Sequence, residues 1–330
     1  MSTGEQAGFP GKLLVSADAG RRRGAGHVMR CLAVAEAARK GGWSVALSAD
    51  LSDLAWLRPW VNSLEVERVG VAPTVESLME LVGSGQPDAV LLDHYQFPDV
   101  MAALTGTGVV FANLEDDEFG RRTAHVSIDY ALGAESAVRP EDGSMRLLRG
   151  VSFAPIRAEI RAGRVMDYEA RTPSSRGPLG IAVLMGGTDA LGLAATVRAL
   201  IEETGATTVP VDGGLGLVRQ LRGAGAVISG AGLSSYELGC LGIPMGLLKV
   251  ADNQERNYSA LVSAGAAAGL GTAAELEDQP HLVRDRLGAW LSDPAGLVAR
   301  AATGRRLVDG EGAARIMAAV TATRSDLTRR

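Results

Sequence analysis

Short apolar runs alternate with longer amphipathic stretches along the first half of the chain. The runs have strand length and read "KLLVSAD" (residues 12–18), "SVALSA" (44–49), "DAVLLD" (88–93) and "GVVFANL" (108–114). They are continuously apolar, which is typical of strands buried on both faces of a parallel sheet. Helical patterns between them favour βα units, so we predict a doubly wound α/β domain.

A second series of the same kind follows residues 171–178, "RTPSSRGP", which have the composition of a linker. Its apolar runs are "LGIAVLMGG" (179–187), "TTVPVD" (207–212), "AVISGAG" (226–232) and "IPMGLLKV" (243–250). Residues 281–324 show helical patterns without an obvious strand. We therefore predict an α/β protein with two Rossmann-like domains, residues 1–170 and 171–330, facing each other across a cleft, with C-terminal helices that pack back. Ligands of such sheets bind at the carboxyl ends of the strands.

Composition excludes several classes of partner. The 330 residues carry a net charge of −5, which argues against a nucleic acid or an acidic membrane surface. Cys31 and Cys240 lie in apolar helical patterns and indicate neither a zinc site nor a disulfide framework. The N-terminal residues contain no apolar stretch of signal-peptide length, and no run is long enough for a bilayer. We expect a cytoplasmic protein without an integral membrane segment.

Candidate chemistry begins directly after the first predicted strand. Asp18 ends that strand, and Gly24 and Gly26 lie in the turn before a helix predicted from His27 to about residue 40. Glycines let a ligand approach the backbone, and free N–H groups at a helix start favour an anion. The helix dipole disfavours a protonated imidazole, so we expect His27 to be neutral and able to accept a proton. The alternative is a tight connection in which His27 is only a cap.

Polar residues also follow the next two strands of the first half. Asp93, His94 and Tyr95 stand at the end of the run 88–93, where they either face a ligand or cap the next turn. Residues 113–120, "NLEDDEFG", place four carboxylates in a row. Metal sites usually draw ligands from separate segments, and adjacent carboxylates point apart, so we expect no metal. Asp18, Asp93 and Asp116 are further candidates for a base.

The second half carries candidate anion sites and hydroxyl-binding residues. A ligand's oxyanion or diphosphate would be held by Gly186, Gly187 and Thr188, and by Gly230, Gly232, Ser234 and Ser235. Glu237 lies three residues after Ser234, which is the spacing of a capping box. Its alternative role is to bind the two hydroxyls of a ribose. Asn253, Gln254 and Asn257 open a further helix, where amides either cap it or bind sugar hydroxyls.

These motifs together resemble a known family. In order they are "GAGHVMRCLAVA" (24–35), "DHY" (93–95), "GGTD" (186–189), "GLSSYELGCLGIP" (232–244) and "ADNQERN" (251–257). The pattern is similar to the nucleotide-sugar hydrolases of the pseudaminic acid pathway and the spore coat polysaccharide proteins. Those are similar in turn to the glycosyltransferase B superfamily, which includes the N-acetylglucosaminyl transferase of peptidoglycan synthesis. The resemblance covers about residues 12–271.

The resemblance implies metal-independent cleavage of a nucleotide sugar at its anomeric carbon, with inversion, no cofactor and UDP as leaving group. The family's base falls on His27, its D-x-Y tyrosine on Tyr95, its ribose carboxylate on Glu237 and its sugar-facing amide on Asn257. The chain departs from the family on the sugar side. For example, Asp129 and Tyr130 stand where the family often has Asn-Pro.

Three functions follow from this resemblance. The first, which we expect, is a hydrolase of a UDP-sugar, in which His27 activates water. The second is an inverting glycosyltransferase, in which His27 deprotonates a small-molecule or glycan acceptor. The third is a nucleotide-sugar binding protein without turnover, which would gain little from a base at the anomeric carbon.

Overall fold

The computed structural model describes residues 10–20, 25–164, 179–186, 189, 191–212 and 214–329. Strands of the first half are β1 (Lys12–Ala17), β2 (Ser44–Ser48), β3 (Glu67–Arg68), β4 (Ala89–Asp93), β5 (Val110–Leu114), β6 (Val126–Asp129) and β7 (Arg146–Arg149). They form one parallel sheet in the order β3-β2-β1-β4-β5-β6-β7. The four predicted strands are confirmed. β3, β6 and β7 were not predicted, because they are short and two of them are exposed edge strands.

Helices of the first half connect these strands. They are α1 (Gly26–Lys40), α2 (Arg58–Ser63), α3 (Val75–Gly85) and α4 (Met101–Leu104), and a further helix, α5 (Ala158–Gly163), comes after β7, the last strand of this sheet. In α1, Val28, Cys31, Leu32 and Ala35 are fully buried, as their spacing of three and four residues predicts. Cys31 is a free thiol in this buried face.

The second half forms a smaller parallel sheet. Its strands are β8 (Gly180–Leu184), β9 (Thr207–Val209), β10 (Ala226–Gly230), β11 (Met245–Lys249) and β12 (Ala268–Thr272), in the order β12-β11-β10-β8-β9. Its helices are α6 (Leu193–Glu203), α7 (Leu217–Gln220), α8 (Leu233–Leu241), α9 (Glu255–Ser263), α10 (Ala273–Asp278), α11 (Pro280–Leu291) and α12 (Pro294–Leu307). The two doubly wound sheets confirm the predicted α/β class. β12 escaped prediction because two glycines interrupt its apolar pattern.

The last helix, α13 (Gly312–Thr328), returns to the first half. It packs on α1 and on strands β5 and β6. Ile316, Met317 and Val320 form its buried face. At its far end Arg324 pairs with Asp88. The first sheet is therefore completed by a helix from the C-terminal end of the chain. The boundary predicted near residue 171 lies outside the described residues and stays a prediction.

The chain crosses between the halves at two adjacent places. The outward crossing leads into α5, and the return crossing leads into α13. At Gly312 an added Cβ would lie only 2.1 Å from the carbonyl oxygen of Ala154. Arg161 of α5 also binds Glu311, whose carboxylate oxygens are 3.0 and 2.8 Å from its Nη1. The two crossings thus lie in direct contact.

Each sheet has one point where the strand order reverses. In the first sheet it lies between β1 and β4, and in the second between β8 and β10. A crevice forms outside the carboxyl ends of the strands at such a point. The residues that follow these four strands are therefore the ones placed to contact a ligand. In the described part of the chain, no helix is both long and apolar enough to traverse a lipid bilayer.

The buried face of α13 predicts a stability effect. Ile316→Ala removes a fully buried side chain from the contact with the first sheet. We expect a loss of about 2–5 kcal/mol in the free energy of unfolding, measured by urea denaturation. Ala318→Gln, on the exposed face of the same helix, should change it by less than about 0.5 kcal/mol. Equal effects of the two variants would contradict this packing.

Candidate functional site

A cavity of about 350 Å³ opens between the two halves, where the carboxyl ends of the strands meet. This volume lies within the usual range for small-molecule sites. Most of the predicted site residues line it: Gly26, His27, Tyr95, Gly186, Gly230, Gly232, Ser234, Glu237, Asn253, Gln254 and Asn257. Asp18, Asp93 and Ser235 do not. Gly24, Gly187 and Thr188 lie outside the described residues.

His27 lies in the first turn of α1 and is paired with the last residue of β4. Its Nδ1 lies 2.9 Å from Oδ1 of Asp93 and 3.4 Å from the backbone oxygen of that residue. Since β1 and β4 are neighbours at the switch point, the helix after β1 starts beside the end of β4. The fold therefore brings a histidine and an aspartate together that are far apart in sequence.

The pKa of His27 differs from the expected direction. Burial lowers it, but the charge of the Asp93 carboxylate and its hydrogen bond outweigh burial, and the net pKa is raised above 6.5. The helix dipole alone would lower this pKa, so the direction of the shift is opposite to the one inferred from the sequence. The dipole acts within one turn, whereas a buried carboxylate in direct contact is the stronger influence.

Asp93 is fully buried and binds protein rather than a ligand. Arg30, three residues after His27 on α1, grips both of its oxygens with Nε and Nη2. Burial alone would raise the pKa of Asp93, but Arg30 and then His27 hold it far below its usual range. The prediction that Asp93 contacts the substrate is corrected, because its carboxylate is buried outside the cavity lining and is bound by His27 and Arg30.

Arg30 joins a second carboxylate to this cluster. Its Nη1 lies 2.7 and 2.8 Å from the two oxygens of Asp116, and it also donates to the hydroxyl of Tyr130 at 2.9 Å. Asp116 lines the cavity. Sequence analysis missed Arg30, although it lies within the motif "GHVMRC" on the same helix face as His27.

Tyr95 connects the two halves of the molecule. Its hydroxyl donates to Asp116 and accepts a hydrogen bond of 2.9 Å from Nδ2 of Asn253. Burial, with the charge of Asp116, raises its pKa, so the phenol stays protonated. Its ring meets that of His27 edge-on, with centroids 4.4 Å apart. A second link across the cleft joins Asp129 to Arg256 at 2.9 Å.

Asp18 and the acidic stretch 113–120 have other partners. Asp18 lies 3.8 Å from Nε2 of His94, away from the cavity. Three of the four consecutive carboxylates bind different arginines: Glu115 binds Arg139, Asp116 binds Arg30 and Asp117 binds Arg121. Within the described ranges, no group of three or more potential metal ligands is found.

The opposite wall is formed by the start of α8. Gly230, Gly232 and Ser234 line the cavity there, and the first N–H groups of a helix have no partner within it. The prediction that Ser235 holds the anion is corrected. Ser235 is fully buried, and its hydroxyl donates to the carbonyl of Gly232 at 2.6 Å. This wall carries N–H dipoles and one serine hydroxyl, which suits an anionic group.

Glu237 does not form the capping box that its spacing suggested. The residue before α8 is Gly232, which makes no side-chain cap. The carboxylate instead binds Arg157, with Oε1 2.7 Å from Nε and Oε2 3.2 Å from Nη2. Glu237 still lines the cavity. Arg157 was missed, because nothing in its local sequence marks it.

The predicted amides have mixed roles. Oε1 of Gln254 accepts hydrogen bonds of 3.1 Å from the backbone of Ala231 and Val250, and so holds the glycine-rich turn in place. Asn257 accepts from the hydroxyl of Tyr236 at 2.7 Å. Both also line the cavity, as does Asn253.

Comparison with known proteins extends the description of the fold. No family model and no curated protein sequence matches the chain. Solved structures of glycosyltransferases do match its fold over nearly their whole length. MurG of Acinetobacter baumannii is 14% identical with a TM-score of 0.60, over 97% of this chain and 99% of that one.

Two further glycosyltransferases match similarly. SsfS6 of Streptomyces sp. SF2575, complexed with thymidine diphosphate, is 14% identical with a TM-score of 0.57, over 96% of this chain and 99% of its own. The calicheamicin glycosyltransferase CalG4 is 12% identical with a TM-score of 0.55, over 97% of this chain and 98% of its own. The chain therefore has the GT-B fold, with two Rossmann-like halves around a cleft.

The charge cluster predicts a large stability effect. Arg30→Met leaves Asp93 buried without its main counterion and Asp116 without its arginine. We expect a loss of about 3–5 kcal/mol in the free energy of unfolding, measured by urea denaturation. The matched control is Arg146→Met, since Arg146 and Asp326 form an ion pair with side chains 41% and 42% exposed. That variant should lose about 0–1 kcal/mol. Similar losses in both would contradict a central role for Arg30.

Proposed function

We propose that this protein is an inverting glycosyltransferase that uses a nucleoside-diphosphate sugar as donor. The observation that supports it most is the pairing of two unlike walls across one cavity. One wall carries His27 with Asp93 behind it, and the other carries the N-terminus of α8. A base on one side and an anion cradle on the other is the arrangement that inversion at a carbon between them requires.

His27 is the proposed base for the acceptor. Its Nδ1 is taken by Asp93, so Nε2 is the nitrogen that accepts a proton from the acceptor hydroxyl or amine. Asp93 fixes the ring orientation and stabilises the imidazolium that forms. A positioned base of this kind contributes about 10²–10⁴-fold to the rate. Tyr95, whose ring packs against His27, would help to hold it in place.

The start of α8 is the proposed binding site of the diphosphate. As the bond to the sugar breaks, negative charge develops on the leaving phosphate. Backbone N–H groups near Gly232 and the hydroxyl of Ser234 would stabilise that charge. Glu237, at the same wall, would bind the ribose hydroxyls, and Asn257 would face the sugar.

Transfer to an acceptor is better supported than hydrolysis. Water was the expected acceptor. The solved structures that share the fold, however, include glycosyltransferases, MurG and CalG4 among them. Because they are under 20% identical to this chain, they support the transfer reaction only by analogy of fold. The nucleotide is proposed to be a pyrimidine diphosphate. The expected UDP and the thymidine diphosphate bound to SsfS6 are both candidates.

Replacing the proposed base should separate chemistry from binding. His27→Asn should reduce kcat by about 10²–10⁴-fold, because no group remains to accept the proton. The affinity for UDP or TDP, measured by isothermal titration calorimetry, should change little. A variant that loses nucleotide affinity as strongly as turnover would contradict this role.

The raised pKa of His27 predicts a pH dependence. The base must be unprotonated, so log kcat/KM should rise with pH and level off above an apparent pKa higher than 6.5. The residual activity of His27→Asn should lack this acid limb. An acid limb with an apparent pKa below 6.5, or one that persists in the variant, would exclude His27 as the titrating base.

A comparison with and without acceptor distinguishes transfer from hydrolysis. UDP- and TDP-sugars are incubated with the enzyme, first alone and then with a panel of hydroxyl- and amine-bearing acceptors. Transfer predicts slow release of the nucleotide that rises at least about tenfold with the right acceptor. Fast release of free sugar without any acceptor would instead support the hydrolase.

A further inference from the structure

Arg157 and Glu237 form an ion pair between the connection from the first half and the wall of the cavity. Arg157 immediately precedes α5, and Glu237 lies in α8. The side chains are 2% and 4% exposed, and the guanidinium meets the carboxylate as a fork, with distances of 2.7 and 3.2 Å. Such a planar fork fixes the plane of the carboxylate as well as its position.

Arg157 is itself held from several sides. Its Nη1 donates to the carbonyl of Gly214 at 3.1 Å, and the guanidinium carbon lies 6.0 Å from the ring centre of Trp60. The next backbone N–H, of Ala158, donates to the carboxylate of Glu36 on α1 at 2.6 Å. The same helix carries His27 in its first turn. The guanidinium and the neighbouring backbone therefore contact residues of both halves of the molecule.

We propose that Arg157 is a positioning residue that aims the Glu237 carboxylate at the two ribose hydroxyls of a nucleoside diphosphate. This inference rests on the proposed function. Each carboxylate oxygen has two acceptor directions, and the fork occupies one on each. Two acceptor directions of the Glu237 carboxylate remain, and Glu237 lines the cavity. The vicinal diol of a ribose offers two donors with matching spacing, so the inference favours UDP over thymidine diphosphate, whose deoxyribose has no 2′-hydroxyl.

Stability alone is a weak reason for this pair. Burying two opposite charges costs desolvation that their attraction often only balances, and apolar residues of similar size would serve equally well. The ion pair is explained if the Glu237 carboxylate must be both charged and correctly oriented at the cavity. Lysine at position 157 keeps the charge but lacks the fork, so it separates orientation from charge.

The test compares two probes on one variant. Calorimetry measures the affinity for UDP and for 2′,3′-dideoxyuridine diphosphate, which lacks both hydroxyls. The wild type should prefer UDP by about 10- to 100-fold, as expected for hydrogen bonds to a charged acceptor. R157K should weaken UDP binding about tenfold while leaving the dideoxy probe nearly unchanged, because only the orientation of the carboxylate is lost.

The matched control is R161K. Arg161 lies in α5, four residues after Arg157, binds Glu311 with one guanidinium nitrogen and does not line the cavity. It should preserve the preference for UDP. If R157K does not fold, E237Q provides the second reading: its amide places a donor against the arginine, so the side chain must turn, and the preference for UDP should fall.

The outcomes are distinct. Selective loss of UDP affinity in R157K, or in E237Q, supports the inference. Equal weakening of both probes, an unchanged preference, or a wild type that binds both probes alike overturns it and leaves donor binding intact. A wild type that binds neither UDP, TDP nor the dideoxy probe overturns the proposed function itself.

Discussion

The buried contact of Arg30 with Asp93 is the interaction on which the first half of the site depends. Asp93 can be charged at full burial only because the guanidinium takes both of its oxygens. The charged carboxylate in turn raises the pKa of His27 and fixes its ring. The same guanidinium holds Asp116, which anchors Tyr95 beside the cavity. Arg30 thus holds in place both carboxylates, Asp93 and Asp116, that position His27 and its neighbour Tyr95.

The second half provides a site for an anion rather than a charged base. Its wall at the cavity is built from glycines, a serine and helix N–H groups, which favour an anion without a formal positive charge. The Arg157–Glu237 pair adds a fixed carboxylate at the edge of this wall. A polar ligand would therefore meet the charged side chains around His27 on one side, and oriented dipoles with one carboxylate on the other. This division suits a molecule with a nucleoside diphosphate at one end and a reacting sugar carbon at the other.

Sequence patterns predicted most of the fold, because continuous apolar runs mark strands of a parallel sheet. They failed where the pattern is absent: β12 carries two glycines, and β7 is an exposed edge. Most of the residues predicted from the motifs after strands line the cavity. The pKa of His27 was misjudged because its partner lies 66 residues away in sequence. Arg30 and Arg157 were missed for the same reason, since an arginine becomes informative only when its carboxylate is known.

The contact of Gly312 with Ala154 has a mechanical consequence. The two connections between the halves, which contain Ala154 and Gly312, touch each other and therefore form one short hinge. Relative rotation about that line leaves both connections nearly unstrained, whereas sliding or twisting would stretch one against the other. A change in the width of the cleft would therefore take the form of a rotation about this line. A side chain at position 312 would push the connections apart and displace that line.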